Sequence, residues 1–412
     1  MTNKSTIKLG VFGFGCVGGG LYEVLHKTGG IKAHIEKICV KNRDKKRSLP
    51  EEFFTYDKND LLFNDNIDVI VELIDDSEAA FEIVSTALKN GKAVVTANKK
   101  MIAEHFEELL QLQQEYNVPL LYEGACCASI PIIRNLEEYY DNDLLTAVEG
   151  IFNGSTNYIL TKIFDENLDF DTALKQAQEA GFAESDPRLD VEGFDPKYKL
   201  DIILTHAFGA TVNPIDIFNY GITRLSPFDI QYAREKGYRI KLVAQCRKAG
   251  DKIVATVFPK FITPSDKLYT INNEYNGIVI ESIFAETQFF SGKGAGAYPT
   301  ASAVLSDISA LTYNYKYEYK KLLQNPAARI SNDFLAEVFV RFSDGSGLKP
   351  TDFETVKEFY SSGNNNFIIG EINYQTLVTS NWIKSNEVSV IFTASPLKVT
   401  DPVEELAALA EA

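Results

Sequence analysis

The sequence is poor in the residues that build disulfide scaffolds and metal centres. Its 412 residues include five cysteines and four histidines. The cysteine number is odd, no CxxC pair occurs, and no two histidines have the spacing of metal ligands. These absences argue against a disulfide-stapled secreted protein and against a zinc-dependent alcohol dehydrogenase. They favour a reducing compartment, so we expect a cytoplasmic protein.

Basic residues and long apolar runs are also scarce. The chain has 41 Lys and Arg against 57 Asp and Glu, which gives a net charge of -16. Nucleic-acid binding needs a basic surface, so we expect no nucleic-acid partner. No apolar run has transmembrane length, and the opening MTNKSTIKLGVFGFG does not resemble a signal peptide, so we expect no membrane partner.

The first third of the chain alternates short apolar runs with helical patterns. Apolar runs at 7–12 and 67–74 are each followed by a helical pattern, and the alternation continues to about residue 125. This order is typical of a doubly wound parallel sheet. We therefore predict an α/β fold with a Rossmann-type domain at residues 1–125.

Beyond residue 125 the pattern becomes rich in strands. We predict an α+β domain with an open mixed sheet at 126–310, including one strand over IVIESIFAETQFF, and a helix at about 300–325 that returns to the first domain. Residues 331–412 predict a small third α+β unit, in which TDFETVKEFYSS is expected to be helical.

A glycine-rich turn follows the first predicted strand. Gly13, Gly15 and Gly18 form GxGxxG around Cys16 and Val17, with a strand before them and a helical pattern after them. In such a turn the first glycine permits a tight bend, the second lets a pyrophosphate approach, and the third allows close helix packing. The helix start supplies amide donors to phosphate, so we predict a dinucleotide site.

The residues after the second predicted strand indicate which dinucleotide binds. NAD-specific sites place an acid there for the ribose hydroxyls. This chain has Lys41 and Arg43, and cations suit the 2′-phosphate of NADP. We therefore predict NADP as the cofactor, with NAD as the alternative and a solvated basic loop as the non-functional interpretation.

The stretch GFAESDPRLDVEGFDPKYK, residues 181–199, concentrates acids and lysines before an apolar helix. Lys199 lies four residues after Asp195, so the two side chains share one helix face if Asp195 begins the helix. Hydride transfer between an alcohol and an aldehyde needs a proton donor, and the sequence has no suitable histidine motif. Lysines are therefore the candidate donors, although an exposed ion pair would show the same spacing.

Seven segments together resemble the homoserine dehydrogenase family in order and spacing. They are GFGCVG, DVIVELI, VVTANKK, YEGACCASIPII, GIFNGSTNYIL, GFAESDPRLDVEGFDPKYKL and GKGAGAYPTASAV. The resemblance runs to about residue 325 and indicates the monofunctional form. It implies NAD(P)-dependent interconversion of L-homoserine and L-aspartate 4-semialdehyde, in the pathway to threonine, methionine and isoleucine.

The same resemblance assigns roles to individual residues. It implies that Lys199 is the proton donor, that Asp195 and Lys99 act beside it, and that Glu184 and Asp190 bind the homoserine end. It further implies cofactor contacts and a monovalent cation, expected to be sodium, held mostly by backbone carbonyls. The implied cofactor residues are Lys99, Gly181 and Gly294, and the implied cation residues are Glu123, Cys126, Ala128 and Ile130. A homodimer formed through the second domain is expected.

Some features depart from the family or favour other functions. Asp75 and Asp76 replace two glycines after VELI, and carboxylates there would repel a pyrophosphate unless they turn away. Residues 331–412 resemble a regulatory ACT-type unit loosely, so threonine feedback is a hypothesis. Tyr158 and Lys162 match the YxxxK pattern of short-chain dehydrogenases. A further alternative is a non-catalytic sensor of NADP and an amino acid.

Overall fold

A computed structural model of the chain describes residues 6–141, 144–250, 252–325, 328–362 and 365–398. The chain forms two compact units. The first contains residues 1–141, 201–207 and 292–324, and the second contains 142–200, 208–291 and 325–412. Neither boundary set coincides with the predicted domains 1–125, 126–310 and 331–412. Within the described residues, no helix has the length and apolar character needed to cross a membrane.

The first unit is built on a parallel sheet of six strands in the order β3-β2-β1-β4-β5-β6. The strands are β1 (Ile7–Phe12), β2 (Ala33–Cys39), β3 (Phe54–Thr55), β4 (Val69–Glu72), β5 (Ala93–Thr96) and β6 (Leu120–Leu121). The helices assigned to this unit are α1 (Cys16–Lys27), α2 (Asn59–Leu62), α3 (Ser77–Lys89), α4 (Lys99–Glu104), α5 (Phe106–Tyr116), α6 (Ile133–Glu138), α12 (Ala297–Leu311) and α13 (Lys320–Gln324).

The parallel sheet forms because its central strands are apolar along their whole length. All four residues of β4 are buried. In β1 every residue is buried except Lys8, which is half-buried. Strands buried on both faces read as continuous hydrophobic runs, as the sequence showed. The predicted Rossmann-type sheet is thus confirmed. Helix α12 packs tightly on α1, since a Cβ at Gly20 would lie 2.6 Å from the carbonyl oxygen of Ala297.

The second unit is built on a mixed sheet of ten strands. Nine follow the order β11-β10-β7-β8-β9-β16-β13-β15-β14, and β12 pairs with β9. The strands are β7 (Leu145–Ile151), β8 (Arg239–Ala249), β9 (Lys252–Ile262), β10 (Tyr275–Ser282), β11 (Glu286–Lys293), β12 (Arg329–Ile330), β13 (Leu335–Phe342), β14 (Thr355–Ser362), β15 (Asn365–Asn373) and β16 (Ser389–Phe392). Because β12 and β16 run parallel to β9 while pairs such as β8–β9 and β13–β15 are antiparallel, the predicted mixed sheet is confirmed.

Helices cover this sheet between the strands. They are α7 (Gly154–Glu166), α8 (Phe170–Glu179), α9 (Arg188–Val191), α10 (Phe194–Phe208), α11 (Pro227–Glu235) and α14 (Tyr374–Thr379). Residues 201–207 of α10 belong to the first unit. The side chain of Asn153 accepts a hydrogen bond from the amide of Thr156 and so caps α7. The acidic stretch of residues 181–199 thus leads into α9 and then α10, as the sequence predicted for the apolar helix.

The C-terminal strands continue the second unit's sheet, where the sequence predicted a separate small unit. Strand β16 pairs with β9 through Phe392 and Lys260. The core below it mixes Phe334 and Ile368 with Val254 and Phe258 from earlier in the chain. Most residues of this core lie between Phe334 and Phe392, and Tyr220, Val254 and Phe258 from earlier in the chain complete it, so the described C-terminal segment shares its core with β9. Residues 399–412 lie outside the described residues.

Two local predictions are wrong in the same sheet. The segment TDFETVKEFYSS was expected to be helical, but Thr355–Ser362 is the edge strand β14. All its residues are exposed, so the sequence has no alternation of apolar and polar residues to indicate a strand. Pairing with β15 determines the extended conformation. The segment IVIESIFAETQFF is not one strand but the hairpin β10–β11, which turns at residues 283–285.

A buried lysine lies in the core of the second unit. Lys241 on β8 is 1% exposed. Its Nζ donates to Oδ1 of Asn157 at 2.8 Å, to the carbonyl oxygen of Ile271 at 2.5 Å and to Oδ1 of Asn272 at 3.3 Å. All three acceptors are neutral, so burial lowers the pKa of Lys241 to about 7, and the nearby charge of Arg239 adds to the effect.

This lysine predicts a specific dependence of stability on pH. Between about pH 7 and the ordinary lysine pKa of 10.5, the unfolded chain binds the proton more strongly than the folded chain. Wild type should therefore gain stability relative to Lys241→Met as pH rises from 7 to 9, by on the order of 1 kcal/mol. Urea unfolding at both pH values measures this difference. Lys175→Met, at an exposed site, is the control and should follow wild type at both pH values. If wild type gains stability relative to Lys175→Met but not relative to Lys241→Met, the assignment to Lys241 is wrong.

Candidate functional site

The glycine turn between β1 and α1 shows which glycines the fold itself requires. Gly13 has φ +96°, and a Cβ there would lie 2.6 Å from the carbonyl oxygen of Leu73. A Cβ at Gly18 would lie 2.4 Å from the carbonyl oxygen of Gly13. At Gly15 a Cβ would meet nothing within 4 Å. Gly13 and Gly18 are therefore steric requirements, whereas Gly15 faces open space beside the start of α1, where Cys16 and Val17 form the first turn.

The basic loop after β2 contains one tethered arginine and one stacked arginine. Arg47 donates to the carbonyl oxygens of Asn42 and Lys45 and lies over the ring of Phe54. Arg43 lies over the ring of Tyr56, 4.5 Å from its centroid, and Lys41 is exposed. Arg47 thus holds the loop backbone, while the stacked guanidinium of Arg43 is held on the loop surface.

The two acids that replace glycines after β4 have different surroundings. Asp76 caps α3, because its Oδ1 accepts the amide of Ala79 at 3.0 Å. The nearby carboxylate of Glu72 is buried and accepts the amide of Ile74 at 2.6 Å and the hydroxyl of Thr96 at 2.5 Å. Burial raises the pKa of Glu72 to about 7. Asp76 therefore serves the helix start, which leaves the exposed Asp75 as the carboxylate of concern for an anionic ligand.

Lys99 lies at the same sheet edge as the glycine turn. It is the first residue of α4, directly after β5, and is half-buried. Asn98 fixes this start, since its Oδ1 accepts the amide of Met101 at 3.0 Å and its Nδ2 donates to the carbonyl oxygen of Ile74 at 3.1 Å. Strands β1, β4 and β5 are adjacent and parallel, so their carboxyl ends form the edge where ligands of such sheets bind.

The predicted substrate acids lie in two parts of the second unit. Glu184 is exposed on the loop after α8, and its carbonyl oxygen accepts the side chain of Gln178 at 2.9 Å. Gly181, at the start of this loop, has φ +77° and open space at its Cβ position. Asp190 lies on α9 and Asp195 at the start of α10.

Two of the predicted acids meet at Asn153, a residue that sequence reasoning missed, and Lys199 pairs with one of them. Lys199 and Asp195 are each 6% exposed, and Nζ of Lys199 lies 2.7 Å from Oδ2 of Asp195. The same Nζ donates to the carbonyl oxygen of Phe152 at 2.6 Å. Nδ2 of Asn153 donates to Oδ1 of Asp190 at 2.6 Å and to Oδ2 of Asp195 at 2.9 Å. The pair is thus buried and multiply hydrogen-bonded, unlike an exposed surface pair.

A signal for part of this role of Asn153 was present in the sequence. Asparagine before Gly-Ser-Thr at the end of an apolar run is typical of a helix cap. The cap follows from local sequence, but the two carboxylates that its amide binds lie 37 and 42 residues further along the chain. Only the fold reveals them.

The loop predicted to hold a cation is tied down by backbone bonds. The carboxylate of Glu123 accepts the amides of Ile133 and Arg134, each at 2.9 Å, and burial raises its pKa to about 7. Cys127 and Ala128 have left-handed backbones, with φ 52° and 39°. No group of three or more His, Cys, Asp or Glu side chains suited to a metal occurs in the described ranges. Any ligands at Cys126, Ala128 and Ile130 would therefore be backbone carbonyls.

This loop also joins the segment that contains Gly294. The amide and the hydroxyl of Ser129 both donate to the carbonyl oxygen of Lys293, at 3.2 and 2.9 Å. Gly294 is buried between β11 and α12. The motifs YEGACCASIP and GKGAGAYPT are thus neighbours within the first unit.

The YxxxK pair has the surroundings of an ordinary helix surface. Nζ of Lys162 pairs with Oε1 of Glu166 on the same helix α7, and lies over the ring of Tyr158. That pairing raises the pKa of Lys162. A short-chain dehydrogenase needs this lysine beside a catalytic tyrosine to lower the tyrosine pKa. Here the lysine is neutralised by Glu166, which disfavours that alternative.

Comparison with known proteins adds independent findings. The family model for the homoserine dehydrogenase NAD binding domain matches residues 13–123, and the model for homoserine dehydrogenase matches residues 131–309. The homoserine dehydrogenase of Bacillus subtilis is 33% identical over 365 residues, covering 84% of each chain. That of Neisseria gonorrhoeae is 37% identical over 310 residues, covering 73% of this chain and 71% of the relative.

Solved structures agree with the sequence comparisons. A homoserine dehydrogenase from Thiobacillus denitrificans superposes with a TM-score of 0.84 at 28% identity, covering 95% of this chain and 99% of the other. A hyperthermophilic archaeal homoserine dehydrogenase mutant in complex with NADPH gives a TM-score of 0.65 at 26% identity, covering 76% and 99%. The chain belongs to the homoserine dehydrogenase family.

Proposed function

We propose that this protein interconverts L-homoserine and L-aspartate 4-semialdehyde with a nicotinamide cofactor. The main supporting observation is that, in a member of this family, the buried ammonium of Lys199 pairs with Asp195, and the amide of Asn153 joins Asp195 to Asp190. A non-catalytic sensor would not need a proton donor held in this way.

Lys199 supplies the proton that the reaction requires. Reduction of the aldehyde leaves negative charge on the carbonyl oxygen, and a positioned N–H donor lowers the energy of that state. Asp195 and the carbonyl of Phe152 each accept a hydrogen bond from the Lys199 ammonium, so the orientation of the ammonium is fixed before substrate binds. In the reverse direction the same side chain accepts the hydroxyl proton. The nicotinamide, when bound, supplies or accepts the hydride.

The acids recognise the amino-acid end of the substrate. Asp190, Asp195 and Glu184 provide carboxylates for an α-ammonium, and Lys99 provides an ammonium for a carboxylate or an alkoxide. This assignment follows the family resemblance residue by residue. The buried setting of Asp195 supports it, because a charge is buried only where it is paired.

The cofactor lies, in this proposal, along the glycine turn and the carboxyl edge of the parallel sheet. The open space at Gly15 suits a pyrophosphate at the start of α1, and Cys16, Val17, Lys99, Gly181 and Gly294 are assigned to the same ligand. Arg43, stacked on Tyr56, and Lys41 suit a 2′-phosphate, so NADP is the proposed cofactor with NAD as the alternative. The archaeal relative in complex with NADPH is consistent with this choice.

A monovalent cation, proposed to be sodium, binds the loop of Glu123, Cys126, Ala128 and Ile130. A hard cation prefers oxygen ligands. Cys126, Ala128 and Ile130 have no side-chain oxygen, so they would bind the cation through their backbone carbonyls. The paired left-handed residues Cys127 and Ala128 give the loop a tight turn that fits such a role. Activity that is unchanged when tetramethylammonium replaces sodium and potassium would contradict this site.

The remaining proposals concern assembly, regulation and location. A homodimer is proposed from the family resemblance, and the exposed side chains of Ile283 and Phe284 on the β10–β11 hairpin give the second unit an apolar surface for it. A monomeric mass in light scattering would argue against it.

An ACT-type role for residues 331–412 is proposed from the loose resemblance of this segment to such units. Five free cysteines fit the proposed cytoplasmic location, which fractionation would check.

Lys199→Ala should lower turnover of homoserine by roughly 10²- to 10⁴-fold, because it removes a proton donor that acts in the transition state. The dissociation constant for the cofactor, measured by calorimetry, should stay close to that of wild type. The control is Lys162→Ala, which removes a lysine from α7 and tests the YxxxK alternative. Loss of turnover in the control and not in Lys199→Ala would reverse the assignment.

Gly15→Val should separate cofactor binding from folding. The added side chain meets no protein atom near its Cβ, so the melting temperature should change by only a few degrees. The cofactor dissociation constant should rise by roughly tenfold or more, since the side chain occupies the space of the pyrophosphate. Gly13→Ala is the contrasting variant, because φ +96° and Leu73 oppose a side chain there and stability should fall. Cofactor binding by Gly15→Val as tight as by wild type would remove Gly15 from the site.

Arg43→Ala should lower kcat/KM with NADP by roughly tenfold or more, because a hydrogen bond between charged groups is lost. The value with NAD should change little, so the ratio of the two is the measurement. Lys46→Ala removes the same charge from the same exposed loop and serves as the control. If both variants lower the ratio equally, the loop acts through its net charge and Arg43 has no specific contact.

A further inference from the structure

Two consecutive residues at the joint between β7 and α7 contact three of the proposed substrate residues, Asp190, Asp195 and Lys199. The carbonyl oxygen of Phe152 accepts Nζ of Lys199 at 2.6 Å. The side chain of Asn153, which is 4% exposed, binds Asp190 and Asp195. Groups from two later helices, α9 and α10, are therefore gathered by one short piece of backbone and one amide.

The amide of Asn153 and the ammonium of Lys199 share one carboxylate oxygen. Oδ2 of Asp195 accepts Nδ2 of Asn153 at 2.9 Å and Nζ of Lys199 at 2.7 Å. The second donor direction of the amide goes to Oδ1 of Asp190 at 2.6 Å. Two carboxylates brought together repel each other, and the amide placed between them offsets part of that repulsion.

Asparagine is the side chain that fits all of these contacts at once. Its Oδ1 accepts the amide of Thr156 at 2.8 Å and caps α7, while its Nδ2 donates twice. Aspartate has the acceptor for the cap but no donor. Serine also caps a helix, but its single hydroxyl proton cannot serve two carboxylates.

The first turn of α7 is itself fixed against the loop before β10. A Cβ at Gly154 would lie 2.6 Å from the carbonyl oxygen of Glu274. Nδ2 of Asn157 donates to the carbonyl oxygens of Asn273 and Tyr275, at 2.9 and 3.0 Å, and its Oδ1 accepts Lys241 at 2.8 Å. Asn153 thus stands on a rigid support, as a residue that sets the geometry of others must.

We infer that Asn153 is a positioning residue for the reaction: its amide sets the spacing of Asp190 and Asp195 for the substrate ammonium and, through Asp195, the direction of Lys199. This inference rests on the proposed function. The side chain acts through the acids and the lysine and is not itself assigned a contact with substrate.

The test compares three variants that treat the helix cap and the amide differently. Asn153→Ser and Asn153→Asp keep an acceptor for Thr156, but serine has one donor in place of two and aspartate has none. Asn153→Asp also adds a carboxylate beside two others. We expect kcat/KM for homoserine to fall roughly 10- to 100-fold in Asn153→Ser and further in Asn153→Asp, with melting temperatures near that of wild type in Asn153→Ser. Asn153→Ala should lose both activity and stability.

The matched control is another asparagine that caps a helix and donates to a carboxylate. Asn373 accepts the amide of Thr376 and donates to Asp333, which is not a predicted substrate residue. Asn373→Ser should leave kcat and KM unchanged. If Asn153→Ser and Asn153→Asp keep wild-type kcat and KM, Asn153 is a cap only and the inference is overturned.

Crystal structures of wild type and Asn153→Ser decide the positional claim without reference to turnover. We expect the carboxylates of Asp190 and Asp195 to separate and Lys199 to leave the carbonyl of Phe152. Unchanged positions overturn the inference even if the wild type is active. A wild type without homoserine turnover refutes the proposed function instead, and displaced side chains in Asn153→Ser would then still support the positional role.

Discussion

The proposed substrate site depends on the burial of one ion pair. Lys199 and Asp195 lie almost fully out of solvent, where a charge is tolerated only if it is paired and hydrogen-bonded. The pair lies one turn apart on α10, and it is also hydrogen-bonded to Phe152 and Asn153 from outside that helix. The end of β7 and the start of α7 must therefore hold fixed positions, which explains why that joint is bound so firmly to the loop before β10.

The first unit meets a different constraint with different means. A ligand with phosphates needs backbone amides and empty space, so the chain supplies glycines at the end of β1 and polar caps at the ends of β4 and β5. Asp76 and Asn98 both act as caps, one of α3 and one of α4. Asp76, one of the two acids that replace the family's glycines, is in this way bound to a helix start, and its charge is directed to amide donors of α3.

Sequence reasoning succeeded where the cause of a feature is local. The glycine turn, the continuous apolar strands and the i,i+4 relation of Asp195 and Lys199 each depend on neighbouring residues. The second role of Asn153 depends on acids that only the fold brings near, so no local pattern could show it. Strand β14 was mistaken for a helix because its residues are exposed, and an exposed edge strand has no apolar alternation to mark it. The core shared by the C-terminal strands and β9 is likewise a long-range property.

Two buried lysines in the second unit, Lys241 and Lys199, differ in the groups that accept their hydrogen bonds. Lys241 donates to neutral acceptors, and burial lowers its pKa to about 7. Lys199 has a carboxylate at 2.7 Å, and such a partner offsets the desolvation of an ammonium. A side chain that must deliver a proton to a developing alkoxide has to hold that proton until the alkoxide forms. The carboxylate of Asp195 therefore supports the proposal that Lys199 is the proton donor, whereas Lys241 supports Asn157 and the helix that Asn153 caps.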